Sequence, residues 1–581
     1  MTNERIWRLL PPSPGASRLA LETGISPLKA QILLNRGVSD PDAVASFLSP
    51  RLSNLADPML LKDMDRAVDL IMDAVGNHEH IAVFGDYDAD GITATALLIN
   101  FFSELGIPIS YYIPNRLEEG YSLNPPAIKK LSESGIRLII TVDCGISNRR
   151  EIELAKGLGM KFVVTDHHQI PDDFNPICPV INPNRHDSRL PFRELAGVGV
   201  AFFLVVALRS FMRDRRWFME SRPEPDLKQY LDIVALGTVA DMVPLIDQNR
   251  ILVRSGIEVM KKSAWPGIRA MKEISGVGGH RISFYDLAFK LAPRLNAPGR
   301  LGDSVAGLMT LITTSESIAM ENAARLNSMN AHRQRIEEDI LNEIEDLMIG
   351  KSDLKEKRTI VLAKEGWHQG VLGVVASRLL DRYYRPALVL TIREGMATGS
   401  GRSIDGFNLH RSMTRLNHLF EKFGGHYHAA GCTLKASNID ALAEGLEKIA
   451  REELKEEDLV PAIDIDSEIS LSELTYDTVR DIRSMEPFGP GNPEPMFYCG
   501  DLEVVNSRIV GERHLKLRVR QGGCVMEAIG FGFSDNHPLE GKTVNMVFTP
   551  DINEWNGYQT PQLKIVAIEP SGATTSLVRM K

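Results

Sequence analysis

Three apolar, β-branched runs in the first third of the chain each stop at an aspartate. "HIAVFG" (80–85) leads into "DYDADG", "RLIITV" (137–142) into "DCGIS", and "KFVVT" (161–165) into "DHHQIP". Runs of this length and composition read as buried strands, and helical patterns such as "ITATALLINFFSELG" lie between them. That alternation commits the region to βαβ units and a parallel sheet, whose ligands bind beyond the carboxyl ends of the strands. One rim therefore receives Asp86, Asp88, Asp90, Asp143, Asp166, His167 and His168. A single aspartate after a strand is an ordinary turn or helix-capping residue. So many carboxylates on one rim repel one another, and a bound cation is the simplest remedy. Asp241 in "ALGTVADMVPL" (235–245) follows another apolar stretch and is a further candidate. Mixed carboxylate and imidazole donors suit Mn²⁺ and accept Mg²⁺. The five cysteines form no CxxC pair, which disfavours structural zinc.

A chain of 581 residues exceeds a single core and is expected to form about three or four domains. The longest apolar run, "AGVGVAFFLVVAL" (196–208), is shorter than the roughly 18 residues of a membrane span and reads as a core helix. The N-terminal stretch lacks the apolar h-region of a signal peptide. An odd, scattered set of cysteines fits reduced thiols and a cytoplasmic protein. The net charge of −10 argues against a simple basic nucleic-acid binder but leaves room for a basic groove on an acidic body.

Beyond the strand-rich region, "LAPRLNAPGRLGD" (291–303) reads as a Gly/Pro-containing loop that gathers Arg294, Asn296 and Arg300 along a phosphate path. The proline-free stretch 315–350 carries Ile318, Leu326, Met329, Ile336, Ile340, Ile344 and Leu347 at near-helical spacing, with Gly350 as its stop. As a helix it spans roughly 50 Å, enough to connect two lobes. Next come the strand "RTIVLA" and two Gly-rich stretches, "ATGSGRSIDGFNL" (397–409) and "FGGHYHAAG" (423–431). Read as turns, they cradle phosphate through backbone amides, with Arg402 and His426 supplying charge. The last part is β-rich, in short strands that suggest a small barrel of OB type. In "HLKLRVR", Lys516, Arg518 and Arg520 share one strand face. With Phe531, Phe533, Trp555 and Tyr558 nearby, that face suits a single-stranded backbone and stacked bases; the alternative is a solvated face on a structural barrel.

"VFGDYDADGITAT", "ITVDCGIS", "VVTDHHQIP" and "ALGTVADMVPL" together resemble the four ordered motifs of the DHH phosphoesterase superfamily, which hydrolyses phosphoesters or phosphoanhydrides with two divalent ions, Mn²⁺ or Mg²⁺. The resemblance implies an α/β fold: a parallel-sheet catalytic domain (66–314), a connecting helix (315–350), an α/β DHH-associated domain (351–455) and an OB-fold domain (456–569). An N-terminal segment (1–65) and a C-terminal tail (570–581) flank them. It also implies catalytic roles for Asp88, Asp90, Asp143, His167, His168 and Asp241. Asp143 bridges two ions, Asp88 serves one, and Asp90, His167 and Asp241 serve the other. Smaller members carry a histidine ligand where this chain has Phe84, and Asp86 is the candidate replacement. His168 faces the scissile phosphate or acts as an acid. Ser400 and Arg402 hold the substrate's terminal phosphate, and Gly424, Gly425 and His426 line the cleft.

Within the superfamily, the whole architecture is similar to its branch of single-strand-specific exonucleases. That branch implies 5′→3′ release of mononucleotides from DNA, in repair and recombination. It implies a monomer, with a single-strand-binding protein and a helicase as protein partners. One alternative is a phosphodiesterase of short oligonucleotides or cyclic dinucleotides, which has no evident use for the β-rich domain. Another is a silent replication scaffold, whose signature is eroded ligands.

Overall fold

The computed structural model of the protein describes residues 5–278, 281–349, 357–555, 557–572 and 576–580. Contacts divide the chain into two compact units, one of residues 51–459 and one of residues 1–50 with 460–581. Length alone suggests more divisions; the larger unit holds two lobes that share one long helix.

In the first lobe a five-stranded parallel sheet has the order Ile109–Tyr112, Ile81–Gly85, Leu138–Val142, Lys161–Thr165, Val180–Ile181. The chain leaves Ile81–Gly85 toward one edge and returns on its other side at Leu138–Val142, so the gap between those two strands is a topological switch point. Alternate residues face opposite cores. Ile81, Val83, Ile140 and Val163 join one cluster, while Ala82, Phe84, Ile139 and Val164 join the other. Burial on both faces explains why these strands are continuously apolar rather than alternating. The helices Ala89–Glu104, Gly197–Asp214 and Leu231–Ala240 pack within this lobe, and the run read as a core helix is the second of them.

Gly237 is where the third of these helices meets the first. A Cβ there would stand 2.0 Å from Thr93 Oγ1 and 2.8 Å from Val198 Cγ1. Gly237→Ala is therefore expected to destabilise this unit by about 3 kcal/mol, at the upper end for overpacking a dense core. Denaturant unfolding of the variant beside the parent chain measures it.

The helix Glu316–Ile349 has 34 residues. Ala319, Ala323 and Leu326 lie in the core of the first lobe, and Ile340, Ile344 and Met348 in that of the second. Ile318 and Leu347, expected on its apolar side, are exposed at 49% and 38%. Gly350 lies outside the described residues. The second lobe is a sheet of order Phe420–Gly425, Ala429–Lys435, Met396–Arg402, Ala387–Arg393, Ile360–Glu365, antiparallel except for its last pair.

In the other unit, strands Phe497–Val510, His514–Gln521, Cys524–Gly530, Tyr558–Pro570 and Thr543–Trp555 close into a barrel as the last pairs with the first. Residues 1–65, assigned to a separate segment by sequence, divide. Leu19, Ile32, Leu33, Val44 and Phe47 share the barrel's core. Ile6–Leu9 pairs in parallel with both Ala462–Ile465 and Leu577–Arg579, so part of the expected C-terminal tail is a strand. Among the described residues, no helix is long and apolar enough to cross a membrane.

Candidate metal centre and substrate cleft

Sheet register aligns three of the acids. Gly85 pairs with Val142 and Val142 with Thr165, so Asp86, Asp143 and Asp166 each follow a matched strand end. Asp88 caps the helix Ala89–Glu104, accepting from the N–H groups of Asp90 at 3.0 Å and Gly91 at 3.1 Å. Asp90 is fixed from the opposite side. Its carboxylate accepts from the Gly197 N–H at 2.6 Å and the Val198 N–H at 2.8 Å, at the start of another helix. Asp241 caps the C-terminus of Leu231–Ala240. Asp143 sits at φ 60°, a left-handed conformation that aspartate tolerates better than most residues.

Ligand atoms converge in three groups, each within 4.8 Å: Asp86, Asp88 and Asp143; Asp90, His167 and Asp241; and Asp143, His167 and His168. His167 Nε2 is 3.1 Å from Asp143 Oδ1, 3.6 Å from Asp241 Oδ2 and 3.8 Å from Asp90 Oδ2. Burial and the neighbouring carboxylates push Asp86, Asp143 and Asp241 well above the usual carboxylate range, and Asp90 to about 7. Burial, then the charge of His168, lowers His167 to about 4, leaving it a neutral ligand at physiological pH. Buried Asp86 Oδ1 has no hydrogen-bond donor, and Asp143 Oδ1, equally buried, has only His167 Nε2 beside it, at 3.1 Å. Hard-oxygen and imidazole donors, crowded and short of positive charge, fit divalent cations such as Mn²⁺ or Mg²⁺.

Asp166 belongs to the row but plays a different part. Its Oδ1 accepts from the N–H groups of His167 (2.7 Å) and His168 (3.0 Å) and bonds His168 Nδ1 (2.8 Å), while Oδ2 accepts from the Ile146 N–H (2.9 Å). Burial opposes its charge, yet the bonds from His168 hold Asp166 below the usual range. Burial likewise opposes the charge of His168, but Asp166 raises it to about 9. Cys144 is fully buried, with its Sγ 3.8 Å from the Phe84 carbonyl, as suits a packing residue.

Arg294, Asn296 and Arg300 lie on a helix, Ala292–Arg300, and not in a loop. Pro293 follows directly on the π-helical turn Asp286–Leu291, and Pro298 lies inside the helix, where its missing N–H forgoes the bond to the Arg294 carbonyl. Arg294 is engaged by Asn327 Oδ1 at 3.0 Å and by the Lys290 carbonyl. The Asn296 side-chain oxygen accepts from the Ala89 N–H at 2.8 Å, steadying the turn that carries Asp88 and Asp90. Arg300 reaches the second lobe, donating to the Gly370 carbonyl at 3.3 Å. Burial and the like charges of Arg116, Arg333 and Arg402 push Arg300 down to about 10, still protonated at neutral pH. Such a gathering of guanidinium groups beside crowded acids suits a phosphate.

Of the two Gly-rich stretches, residues 397–402, 423–425 and 429–431 are strand, and residues 403–408 and 426–428 are turn and loop, with Gly406 at φ 86°. A Cβ at Gly399 would lie 2.3 Å from the Val389 carbonyl oxygen, so glycine is what lets the strands approach. Gly424 pairs with Gly431 and Gly431 with Ser400, while Gly425 pairs with Ala430 and Ala430 with Gly401. Register thus brings both stretches side by side. Arg402 donates to Ser400 Oγ at 3.2 Å, and Gly373, in the first turn of the helix Leu372–Tyr383, would place a Cβ 3.1 Å from Ser400 Oγ and 3.3 Å from Arg402 Nη2. His426 follows Gly425 in the exposed hairpin.

Sequence reasoning passed over Arg116, which lies 5.2 Å over the Tyr87 ring, and Tyr121, whose hydroxyl lies 3.4 Å from His168 Nδ1. Neither has a local signal.

In the barrel, two of the three expected strand cations have partners, Lys516 with Glu527 at 2.7 Å and Arg520 with Glu503 at 3.4 Å. Arg518 is exposed, as are Phe531 (59%) and Tyr558 (78%); Phe533 is half-buried. The side chain of Trp555 lies outside the described residues.

Residues 80–238 match the DHH family N-terminal domain, 356–452 the DHHA1 domain and 465–567 the RecJ OB domain. The chain is 36% identical to the single-stranded-DNA-specific exonuclease RecJ of Escherichia coli (strain K12), covering 95% of this chain and 97% of that one. It is 36% identical to the same-named protein of Bacillus subtilis (strain 168), over 93% of this chain and 68% of the relative. The crystal structure of RecJ in complex with Mn²⁺ from Thermus thermophilus matches with a TM-score of 0.83 and 29% identity, over 99% of this chain and 81% of that one.

Proposed function

This chain belongs to the RecJ family of single-stranded-DNA-specific exonucleases, and on that premise we propose how its residues divide the work of hydrolysing a DNA strand from its 5′ end. It is a metal-dependent exonuclease acting on phosphodiester bonds in single-stranded DNA. The observation that carries this reading is the convergence of buried carboxylate oxygens, that of Asp86 without any donor and that of Asp143 facing only His167, within a ring of acids and one neutral histidine.

Asp86, Asp88 and Asp143 would hold one divalent ion, and Asp143, Asp90, His167 and Asp241 the other. When bound, two such ions activate water and stabilise the leaving oxygen of an in-line displacement. The remaining residues supply position and charge. His168, protonated through Asp166 at Nδ1, presents its other edge to a phosphate oxygen. Arg300, with Arg116, draws the strand's phosphate toward the acids. Ser400, Arg402 and the N-terminus of Leu372–Tyr383 hold the terminal 5′-phosphate, with Gly424, Gly425 and His426 along the cleft. Asn296 steadies the turn that carries Asp88 and Asp90, and Arg294 ties its helix to Asn327. Arg518, exposed on the barrel, tracks the strand, with Lys516 and Arg520 paired to Glu527 and Glu503 beside it. We take 66–314 to house the chemistry, 351–455 to close over the substrate and 456–569 to bind the strand. The setting is cytoplasmic DNA repair and recombination, by a monomer that works with a single-strand-binding protein and a helicase.

Mn²⁺-dependent release of mononucleotides from a single strand, with a blunt duplex of the same sequence resistant, is the expected behaviour; equal digestion of both would refute it. Arg402→Ala should cost about 10- to 100-fold in kcat/KM on 5′-phosphorylated strands, the worth of a charge-assisted hydrogen bond. Little change is expected on 5′-hydroxyl strands. Equal losses on both would make Arg402 a general backbone contact.

A further inference from the structure

The adjacent histidines are held by four backbone bonds. Both N–H groups donate to Asp166 Oδ1. Both carbonyls are bonded too, by two side-chain amides from the turn after Val180–Ile181. Asn184 Nδ2 donates to the His167 carbonyl at 2.6 Å, and Asn182 Nδ2 to the His168 carbonyl at 2.9 Å. The amides are themselves linked, since Asn182 Oδ1 accepts from the Asn184 N–H at 2.8 Å. Behind them, Arg185 clamps the turn. It donates to Asp187 through Nε and Nη2, both at 2.8 Å, to Asp63 Oδ2 at 2.7 Å and to the Val180 carbonyl at 2.9 Å. Asn182 is fully buried and Arg185 is 5% exposed. A buried amide without a partner is costly, so this turn has one low-energy arrangement.

The geometry points to Asn184 and Asn182 as positioning residues with separate charges: Asn184 fixes His167 for cation binding, and Asn182 fixes His168 for the phosphate. Each amide holds the carbonyl of one histidine only, and the two imidazoles face different targets. His167 Nε2 points at Asp143, Asp241 and Asp90, whereas His168 Nδ1 is bonded to Asp166 at 2.8 Å and stands farther from Asp143, at 3.9 Å. A partner on the ring of a ligating histidine typically costs about 10- to 100-fold in metal affinity when removed, and an amide on its backbone carbonyl, one step further out, is expected at the lower end of that range. This inference rests on the proposed division of roles between the two histidines.

The variants Asn184→Asp and Asn182→Asp test it. Each keeps the side chain's size and an oxygen acceptor but removes the N–H donor; Asn182→Asp still accepts from the Asn184 N–H. Each also sets a carboxylate against the carbonyl its amide had bonded, so Asn184→Ala and Asn182→Ala, which remove the donor without adding charge, are measured beside them. Mn²⁺ binding is measured without substrate, from the paramagnetic resonance of the free ion, and kcat separately at saturating Mn²⁺. Asn184→Asp is expected to weaken the binding of one Mn²⁺ by about 10-fold. Asn182→Asp should leave both affinities within about twofold and lower kcat by about 10-fold. His167→Ala is the control on the underlying reading. If it leaves Mn²⁺ binding intact, the assignment of His167 fails and this inference with it. If His167→Ala weakens binding and Asn184→Asp does not, the inference alone is overturned. Equal effects of the two asparagine variants on binding, or a lower melting temperature with unchanged affinities and kcat, would make the turn merely structural.

Discussion

Asp143→Asn and Asp143→Ala should each lower turnover by about 1,000-fold or more at saturating Mn²⁺, beyond the loss expected from an outer partner of a metal ligand. Asp143 appears in two of the three groups of convergent ligand atoms, and its Oδ1 lies 3.1 Å from His167 Nε2. Among the described residues, no other carboxylate belongs both with Asp86 and Asp88 and with His167. Losing it should therefore disable both cation positions together. Asparagine is the cleaner substitution, because φ 60° suits it while alanine there adds backbone strain of about 1 kcal/mol. Without divalent ions, either change removes a buried charge whose neighbours repel it, so the metal-free variants should be no less stable than the parent apart from that strain. Turnover and metal-free melting, measured on the same preparations, separate lost chemistry from lost folding. Near-parental turnover would remove Asp143 from the shared position.

Removing divalent ions should destabilise the catalytic lobe, increasingly so as pH rises from 6.5 to 9. Asp90 has a folded-state value near 7 against 3.8 for the ordinary group, and Asp86, Asp143 and Asp241 are also raised by burial and neighbouring acids. A raised folded-state value gives stability that is complete below the unfolded value and is lost as pH climbs through the folded one. His168 acts in the same sense, between 6.5 and about 9. His167 acts oppositely, but only as pH falls from 6.5 toward 4. Above pH 6.5 every cited shift therefore has one sign. The loss at Asp90, which runs from 3.8 to about 7, is nearly complete there, and the rest of the window belongs to His168 and the acids raised furthest. A single proton contributes at most about 1.4 kcal/mol per pH unit. Because the His168 side chain is 36% exposed, screening reduces its share, and a total near ~2 kcal/mol is expected. Thermal melts of the chelated protein across this range should show the midpoint falling by several degrees, with Mn²⁺ restoring most of it at pH 9. A flat profile, or equal restoration at both ends, would contradict the picture of carboxylates crowded for want of cations.

The site was legible where its cause is local. Strands that stop at acids announce themselves through composition and period, and the same rule places Asp86, Asp143 and Asp166 in register. What escaped depends on distant pairing. Asn182 and Asn184 sit in "INPNR", which reads as an ordinary turn; only the fold returns their amides to the histidine carbonyls. Ser400 and Gly424 are joined through Gly431 by strand register, while Gly399 is there to let strands approach. Residues 1–50 gave no sign of sharing the C-terminal barrel's core, because an amphipathic helix records that it has a buried face and not what covers it. Lys516 and Arg520 share the basic face that strand period predicts yet each is paired, because that period assigns faces but not the carboxylates of neighbouring strands.

The most direct test is digestion of a single-stranded oligonucleotide by the full chain with Mn²⁺, the strand being blocked at its 5′ end, its 3′ end or neither. Hydrolysis should yield mononucleotides, proceed normally past a 3′ block and stop at a 5′ block, and Asp143→Asn should be inert on all three. Unimpeded digestion of the 5′-blocked strand, or parental activity in Asp143→Asn, would contradict it.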